Sequence, residues 1–266
     1  MVDFQDKKNM SIDVKNLSYK IDSKYLVKDI SFKIEENNIV TIIGPNGAGK
    51  STLIKLLSGD MPATEGSISF DGKNLTLISI QERAFIRSVM SQSQEIVFDF
   101  SVKEVIEMGW LDKGNSAYFS QFDEVVDEVA RECSVEPLLE RNFSTLSGGE
   151  KKRVHFARTL IQLWRPSNSV EPRYMFLDEP NANLDILFEV KMMKLIQKKR
   201  NEGVGIVLIL HDLNLAAKFS DTIAIVKGGS LIDFGTPQKI LTESTLSFVY
   251  ELPMVVETKP LTIKYY

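Results

Sequence analysis

The chain has 266 residues, 43% of them hydrophobic, and a formal net charge of −4. This length can bury a sizeable core in one or two domains, and the acidic balance gives no electrostatic support for nucleic-acid binding. The longest apolar stretch, residues 203–210, is far shorter than the roughly 20 residues of a membrane helix, so we expect no direct membrane insertion. Residues 1–8 contain no apolar signal core. The single cysteine, Cys133, fits a reducing compartment as a buried structural thiol.

The first predicted elements are strands. Residues 11–37 alternate apolar and polar side chains, which is typical of half-buried antiparallel strands in a hairpin at a sheet edge. Residues 39–43 form a continuous β-branched apolar run and predict a buried strand. The apolar spacing of Leu53, Leu56 and Leu57 then predicts a helix over residues 50–58.

A phosphate-binding motif lies between this strand and this helix. The motif fits the pattern G-x-x-x-x-G-K-[ST] and reads Gly44, Pro45, Asn46, Gly47, Ala48, Gly49, Lys50, Ser51 and Thr52. Its glycines let the backbone turn sharply and point N–H groups at phosphate oxygens. Lys50 supplies a positive charge for the β- and γ-phosphates, Ser51 offers a hydroxyl to Mg²⁺, and Thr52 adds a second hydroxyl near the phosphates.

Residues 100–165 have helical apolar spacing. Within this region a glycine-rich segment opens a helix and reads Leu146, Ser147, Gly148, Gly149 and Glu150. Free backbone N–H groups at such a helix start can bind an anion. Together with the phosphate-binding motif, this segment favours nucleotide-driven work. His155, inside the same helix, is interpreted as a packing or surface residue.

A second apolar strand, predicted at residues 174–178, ends in an acidic pair. P-loop NTPases hold magnesium with an aspartate at this place, and Asp178 is the candidate. Glu179 is expected to point the other way in an extended chain and to polarise the attacking water. Whether Glu179 takes the proton or only orients the water stays open. His211 follows a third apolar run, residues 205–210, at the predicted carboxyl edge of a parallel sheet, where ligands of such sheets bind.

The remaining elements continue this alternation. Residues 185–201 predict a helix that buries Val190, Met193 and Ile196 or their neighbours, and strands and helices alternate from 174 to 227 as in a parallel sheet. Residues 236–266 predict a small helical and extended tail with no identifiable chemistry.

On these motifs the chain, from about residue 11 to about residue 240, resembles the ATP-binding subunits of ABC transporters. The resemblance implies an α/β fold with a P-loop NTPase core of mostly parallel sheet flanked by helices, an antiparallel β edge and an inserted helical subdomain. It divides the chain into one ATPase domain at 11–245, with the core at 11–98 and 166–245 and the helical subdomain at 99–165, and a tail at 246–266. ATP and Mg²⁺ are the implied cofactors.

The resemblance also implies roles for single residues. Tyr19, with Tyr25 as the alternative, stacks on adenine. Gln92, with Gln94 as the alternative, senses the γ-phosphate and contacts the metal. His211 is the switch histidine. Residues 182–185 form the turn between two half-sites.

The implied partners follow from the same likeness. Two copies of the chain pack head to tail as a homodimer, so that each ATP lies between one copy's phosphate-binding loop and the other copy's segment 146–150. Two transmembrane permease subunits and a solute-binding protein that delivers haem complete the assembly. This places the chain at the cytoplasmic face of the inner membrane.

The segment 162–173 is several residues longer than in most ABC ATPases and is read as a loop anchored by Trp164. Its Leu-Trp start and Pro-Arg-aromatic end are similar to haem-import ATPases, as are residues 89–90, 98–102 and 17–19. Haem is therefore the expected cargo, with ferric siderophores or cobalamin as alternatives. A soluble ABC ATPase outside any transporter and a regulatory module with little turnover are the hypotheses from other classes.

Overall fold

The computed structural model describes residues 11–92, 96–111, 121–165 and 173–265. Within these ranges the strands, numbered in chain order, are β1 Ser11–Ile21, β2 Lys24–Glu35, β3 Ile39–Ile43, β4 Glu65–Phe70, β5 Lys73–Asn74, β6 Arg87–Met90, β7 Arg173–Asp178, β8 Val204–Ile209, β9 Thr222–Lys227, β10 Ser230–Gly235, β11 Met254–Thr258 and β12 Leu261–Tyr265. The α-helices are α1 Lys50–Ser58, α2 Ile80–Ile86, α3 Val102–Glu107, α4 Phe122–Glu132, α5 Gly148–Gln162, α6 Ile186–Asn201, α7 Leu213–Phe219, α8 Pro237–Ile240 and α9 Glu243–Tyr250.

Among the described residues the central sheet has six strands, in the order β10-β9-β3-β8-β7-β6. The pairs β9–β3, β3–β8, β8–β7 and β7–β6 are parallel, and only β10 is antiparallel to its neighbour. Every residue of β3 and of β8 is buried, because each strand is a continuous apolar run covered on both faces. The expected mostly parallel sheet is thus confirmed, and the carboxyl ends of β3, β6, β7 and β8 lie at one edge.

A separate antiparallel sheet has the strand order β2-β1-β4-β5, and β1 and β2 form the expected hairpin. A hydrophobic core lies between this sheet, α1 and one face of the central sheet. Leu53, Leu56 and Leu57 of α1 are fully buried in it, as their spacing predicts. The Phe70 ring of β4 packs against Tyr174 and Phe176 of β7, with ring centroids 5.1 and 6.3 Å apart.

Helices α3 and α4 pack against α5, and the three contribute to a second hydrophobic core that includes residues of the other sheet face, as expected from the helical pattern of residues 100–165. His155 is buried on α5 with its ring edge against Phe143, 5.1 Å between centroids, so the packing interpretation fits. Trp164 packs against Trp110 at 5.7 Å between ring centroids. Residues 166–172 of the long loop lie outside the described residues.

The last part of the chain agrees with the sequence pattern in most details. Helix α6 buries Met193 and Ile196 as predicted, whereas Val190 is half-buried and its neighbours Met192 and Leu195 are buried. The tail consists of two short helices and the β11–β12 hairpin. Cys133 is buried, and burial raises the pKa of its thiol. Among the described helices, none is both long and apolar enough to cross a membrane.

Candidate functional site

An open cleft of about 760 Å³ lies at the carboxyl edge of the central sheet. Its lining residues come from the phosphate-binding loop, from β2 and from the ends of β6, β7 and β8, and they are Leu26, Asn46, Gly47, Ala48, Gly49, Lys50, Ser51, Thr52, Gln92, Glu179 and His211. The parallel order of the strands produces this convergence, because the loops that follow parallel strands meet at one edge.

The phosphate-binding loop is compressed against its neighbours at Gly44 and Gly49. Gly44 has φ +151° and Gly49 has φ +99°. A Cβ atom on Gly44 would collide with the carbonyl oxygen of Val226, and one on Gly49 would collide with that of Leu26. Only glycine satisfies both the backbone angle and the close approach at these two positions.

Lys50 points back into this loop from the first turn of α1. Its Nζ atom donates hydrogen bonds to the carbonyl oxygens of Gly44 at 2.8 Å and Pro45 at 3.0 Å. Burial lowers the pKa of the Lys50 amine, while the nearby Glu179 and Asp178 carboxylates oppose that shift. A buried ammonium group that can exchange two carbonyl partners for phosphate oxygens is suited to binding an anion.

Ser51 and Asp178 face each other across the cleft floor. The Ser51 hydroxyl donates to Oδ1 of Asp178 at 3.4 Å, and Asp178 is 4% exposed at the end of β7. Burial raises the pKa of this carboxyl, and the bond from Ser51 opposes the rise. A hydroxyl and a carboxylate are hard oxygen donors, so this pair fits the expected Mg²⁺, which takes few protein ligands beside phosphate.

Glu179 differs from its expected conformation. It is not extended: its φ is +52°, and its carbonyl oxygen already accepts a turn bond from the N–H of Ala182 at 3.3 Å. The chain therefore leaves β7 at Asp178 and turns sharply at Glu179. The Glu179 carboxylate accepts a hydrogen bond from Nε2 of Gln92 at 2.9 Å and lies 2.6 Å from Nε2 of His211. Strained backbone of this kind is concentrated at functional sites.

The expected adenine-stacking residues lie outside this cleft. Tyr19 pairs with Val27 in the β1–β2 hairpin and packs half-buried against the core beneath the antiparallel sheet. The hydroxyl of Tyr25 donates to Glu65 at 3.2 Å. Among the described lining residues, the contribution of β2 is Leu26. Gln94, the alternative to Gln92, lies outside the described residues.

The segment 146–150 is not part of the cleft either. Ser147 caps α5 with its side chain, and the Glu150 carboxylate accepts from both the N–H and the hydroxyl of Ser147 at 2.8 Å. The N–H of Glu150 donates to the Ser147 hydroxyl at 3.3 Å, which leaves the N–H groups of Gly148 and Gly149 to bind an anion at an exposed helix start. Leu146 is buried and anchors the segment. Within one copy of the chain, the segment 146–150 does not line the cleft that Lys50 and Ser51 line.

One further group near the site carries no sequence signal. Lys152 of α5 is half-buried, and burial lowers the pKa of its amine while the Glu179 and Asp178 carboxylates oppose the shift. Lys152 belongs to no motif of the sequence, and only the folded chain brings its amine near the two carboxylates.

Comparison with known proteins agrees with this geometry. The family model of the ABC transporter domain matches residues 27–182. The Hemin import ATP-binding protein HmuV of Rhodopseudomonas palustris (strain BisB5) is 37% identical over 240 residues, covering 90% of each chain. The protein of the same name from Gloeobacter violaceus is 36% identical over 245 residues, covering 92% of this chain and 88% of the relative.

Solved structures show the same architecture. One, described as the ATP binding subunit of an ABC transporter, superposes with a TM-score of 0.77 at 25% identity, covering 90% of this chain and 98% of that one. Another, cbiO1 from Clostridium perfringens, gives a TM-score of 0.73 at 26% identity, covering 90% and 93%. With its family model, its relatives and its fold in agreement, this chain is a member of the ABC transporter family, in the class of its ATP-binding subunits.

Proposed function

We propose that the chain is the ATP-hydrolysing, energy-coupling subunit of an ABC importer whose cargo is hemin. The observation that carries the cargo is the name shared by relatives that are 36–37% identical and cover about nine-tenths of this chain. The cleft carries the ATPase assignment, because it combines a phosphate-binding loop with Glu179 and His211, and the Asp178 carboxylate accepts from Ser51 of that loop.

In this proposal the triphosphate lies along residues 44–52. Their backbone N–H groups and the Lys50 ammonium bind the β- and γ-phosphates once Lys50 exchanges its carbonyl partners for phosphate oxygens. Ser51, Asp178 and Gln92 would hold Mg²⁺. When bound, the metal neutralises charge that develops on the phosphates.

Glu179 then acts on the attacking water. Its carboxylate is oriented by Gln92 on one oxygen and by His211 on the other, so its direction is fixed before a substrate arrives. This orientation contributes more to catalysis than the basicity of the Glu179 carboxylate alone. Most of the catalysis in phosphoryl transfer comes from positioning and electrostatic stabilisation.

The site is completed by a second copy of the chain. The segment 146–150 of the second copy supplies the positive end of α5 and its free N–H groups to the γ-phosphate. ATP then favours the closed homodimer, and hydrolysis removes the group that holds it closed, which is a ligand-biased two-state equilibrium. The exposure of Ser147 in one copy supports this arrangement.

We further propose that the homodimer works at the cytoplasmic face of the inner membrane with two permease subunits and a solute-binding protein. The apolar side chains of Val97 and Phe98, 85% and 74% exposed just after β6, suit a partner surface close to Gln92 in the chain. Copurification with a membrane permease would separate this proposal from a soluble ATPase without a transporter. Phosphate release would exclude a regulatory module with little turnover.

Growth on defined iron sources tests the cargo. A strain whose chromosomal copy carries Lys50→Ala should fail on hemin as sole iron source and grow normally on a ferric siderophore. If this strain takes up hemin normally but loses uptake of a siderophore or of cobalamin, the proposed ATPase role stands and the cargo is the siderophore or cobalamin instead. If the Lys50→Ala strain takes up hemin, siderophore and cobalamin normally, the proposal that the chain serves such an importer is rejected.

A further inference from the structure

The two-residue turn between β9 and β10 contacts the phosphate-binding loop. This turn is Gly228–Gly229, and φ is +55° at the first residue and +80° at the second. A two-residue hairpin turn with left-handed backbone at both central positions favours glycine there. The turn type does not account for the burial of Gly229, since Gly228 beside it is exposed.

Gly229 lies where three backbone segments meet. Its N–H donates to the carbonyl of Ala48 in the phosphate-binding loop at 2.9 Å, and its carbonyl accepts from the N–H of Lys28 on β2 at 2.8 Å. It also lies so close to β2 that an added Cβ atom would be 2.8 Å from the carbonyl oxygen of Leu26. The turn therefore links the loop to β2 through backbone atoms.

The bond from Gly229 fixes one peptide group of the phosphate-binding loop. The peptide between Ala48 and Gly49 is trans, so its carbonyl and its N–H point in opposite directions. Because the Ala48 carbonyl points at Gly229, the N–H of Gly49 is directed away from the turn. Gly49 lines the cleft, where backbone N–H groups of the loop can bind phosphate oxygens. The direction of one such donor is thus set by a residue far away in the sequence.

The β9–β10 hairpin has anchors that do not involve Gly229. Phe234 of β10 stacks on Phe32 of β2, with ring centroids 5.1 Å apart. Lys227 at the end of β9 donates from Nζ to the carbonyl of Phe248 on α9 at 2.6 Å. Strand β9 also pairs with β3 in the central sheet. A local change at Gly229 should therefore leave the hairpin in place.

We propose that Gly229 is a positioning residue of the nucleotide site, which holds the Ala48–Gly49 peptide so that the N–H of Gly49 is directed at a phosphate of the nucleotide. The inference rests on the proposed ATP site. Without the bond to Ala48 the peptide can rotate, and part of the free energy of nucleotide binding goes into ordering it. The group affected is the phosphate chain of the nucleotide and not its base.

Gly229→Ala tests this role, because its methyl group does not fit against the Leu26 carbonyl and the turn must shift, which distorts the bond to Ala48. The matched control is Gly228→Ala, where φ is also positive but a Cβ atom would meet nothing within 4 Å. In calorimetric titrations of the full-length chain with ADP and with ATP–Mg²⁺, dissociation constants should be about threefold to tenfold higher for Gly229→Ala than for Gly228→Ala, the worth of one neutral hydrogen bond. The KM for ATP should rise by the same factor with kcat within about twofold, because the donor binds ground state and transition state alike. Equal dissociation constants in the two variants would overturn the inference.

Inorganic tripolyphosphate with Mg²⁺ distinguishes the loop from the cleft wall at Leu26. This ion carries a phosphate chain without sugar or base, so Gly229→Ala should weaken its binding by the same factor as that of ATP. If the substitution acted by displacing Leu26 instead, ATP binding would weaken and tripolyphosphate binding would not. That result would also overturn the inference.

Amide hydrogen exchange of the wild-type chain tests the bond without a substitution. If nucleotide binds only while Gly229 holds the Ala48 carbonyl, ADP at about 100 times its dissociation constant should slow exchange of the Gly229 amide at least about tenfold, since linkage allows up to about 100-fold. The amide of the exposed Gly228 should exchange at an unchanged rate. Equal exchange of the Gly229 amide with and without ADP would overturn the inference even if Gly229→Ala failed to fold. A wild-type chain that binds neither ADP nor ATP would instead reject the proposed ATP site, so the two failures are distinguishable.

Discussion

The Nε2 atom of His211 lies 2.6 Å from Oε1 of Glu179, while Gln92 donates to Oε2 of the same carboxylate at 2.9 Å. These three residues follow different parallel strands, β8, β7 and β6, whose carboxyl ends share one edge of the sheet. Both oxygens of Glu179 are therefore oriented in the folded chain before any substrate binds.

Glu179→Gln should lower ATP hydrolysis by at least about 100-fold, the usual contribution of a positioned base. The amide keeps the size of the side chain and loses the charge that polarises water, so ATP binding should persist. The variant is then trapped as an ATP-bound dimer, which size-exclusion chromatography with ATP and Mg²⁺ would detect. Glu140→Gln, an exposed position, serves as control. Only monomer in the presence of ATP would contradict the expectation.

Lys50→Ala should abolish turnover, with a loss of at least about 100-fold, because it removes the charge proposed for the β- and γ-phosphates. It also leaves the carbonyls of Gly44 and Pro45 without their donor. Phosphate release by the purified variant measures the effect, and Lys194→Ala, exposed on α6, is the matched control. Normal activity in Lys50→Ala would refute the site assignment.

The sequence predicted the elements that consist of continuous apolar runs or helical stripes. β3, β7 and β8 fall at their expected places because a buried parallel strand needs no polar alternation. Helix α1 begins at Lys50 as expected, since the glycine-rich loop before it cannot continue a strand.

Features that depend on tertiary contacts could not be predicted from the sequence. The positive φ of Glu179 follows from the turn that begins there, and no spacing rule marks it. Tyr19 packs half-buried against the core beneath the antiparallel sheet, and its adenine-stacking role stays a prediction.

Glu150→Gln should strengthen the ATP-dependent dimer by about threefold, the scale of one charge at a helix start. The amide oxygen can still accept from the N–H of Ser147, so the cap survives while a negative charge near the proposed γ-phosphate position disappears. Light scattering in the Glu179→Gln background, followed as a function of ATP concentration, gives the dimer midpoint, which is the ATP concentration at which half of the chains are dimeric.

The control for this charge is Glu104→Gln. Glu104 closes the same kind of cap on Ser101, with bonds of 2.7 and 2.8 Å at the start of α3. The dimer midpoint should not move in this variant. Equal midpoints in both variants would argue that the segment 146–150 does not face ATP.

Asp178→Asn should raise the stability of the nucleotide-free and Mg²⁺-free chain by about 1 kcal/mol, or about 3 °C in melting temperature. Burial raises the native pKa of Asp178 above its ordinary value, so ionisation of this carboxyl costs folding free energy. The asparagine keeps an acceptor for the Ser51 hydroxyl and carries no charge.

The contribution of Asp178 to folding stability should depend on pH. Because the native carboxyl binds its proton more tightly than the unfolded one, its favourable contribution exists at low pH and is lost as pH rises through the native pKa. The melting-temperature difference between Asp178→Asn and wild type should therefore be near zero at about pH 4 and grow towards about pH 7. Adding ATP and Mg²⁺ should reverse it, since only the wild type retains the metal carboxylate. Asp127→Asn, exposed on α4, should show no such trend, and a constant difference across pH would exclude Asp178 as its source.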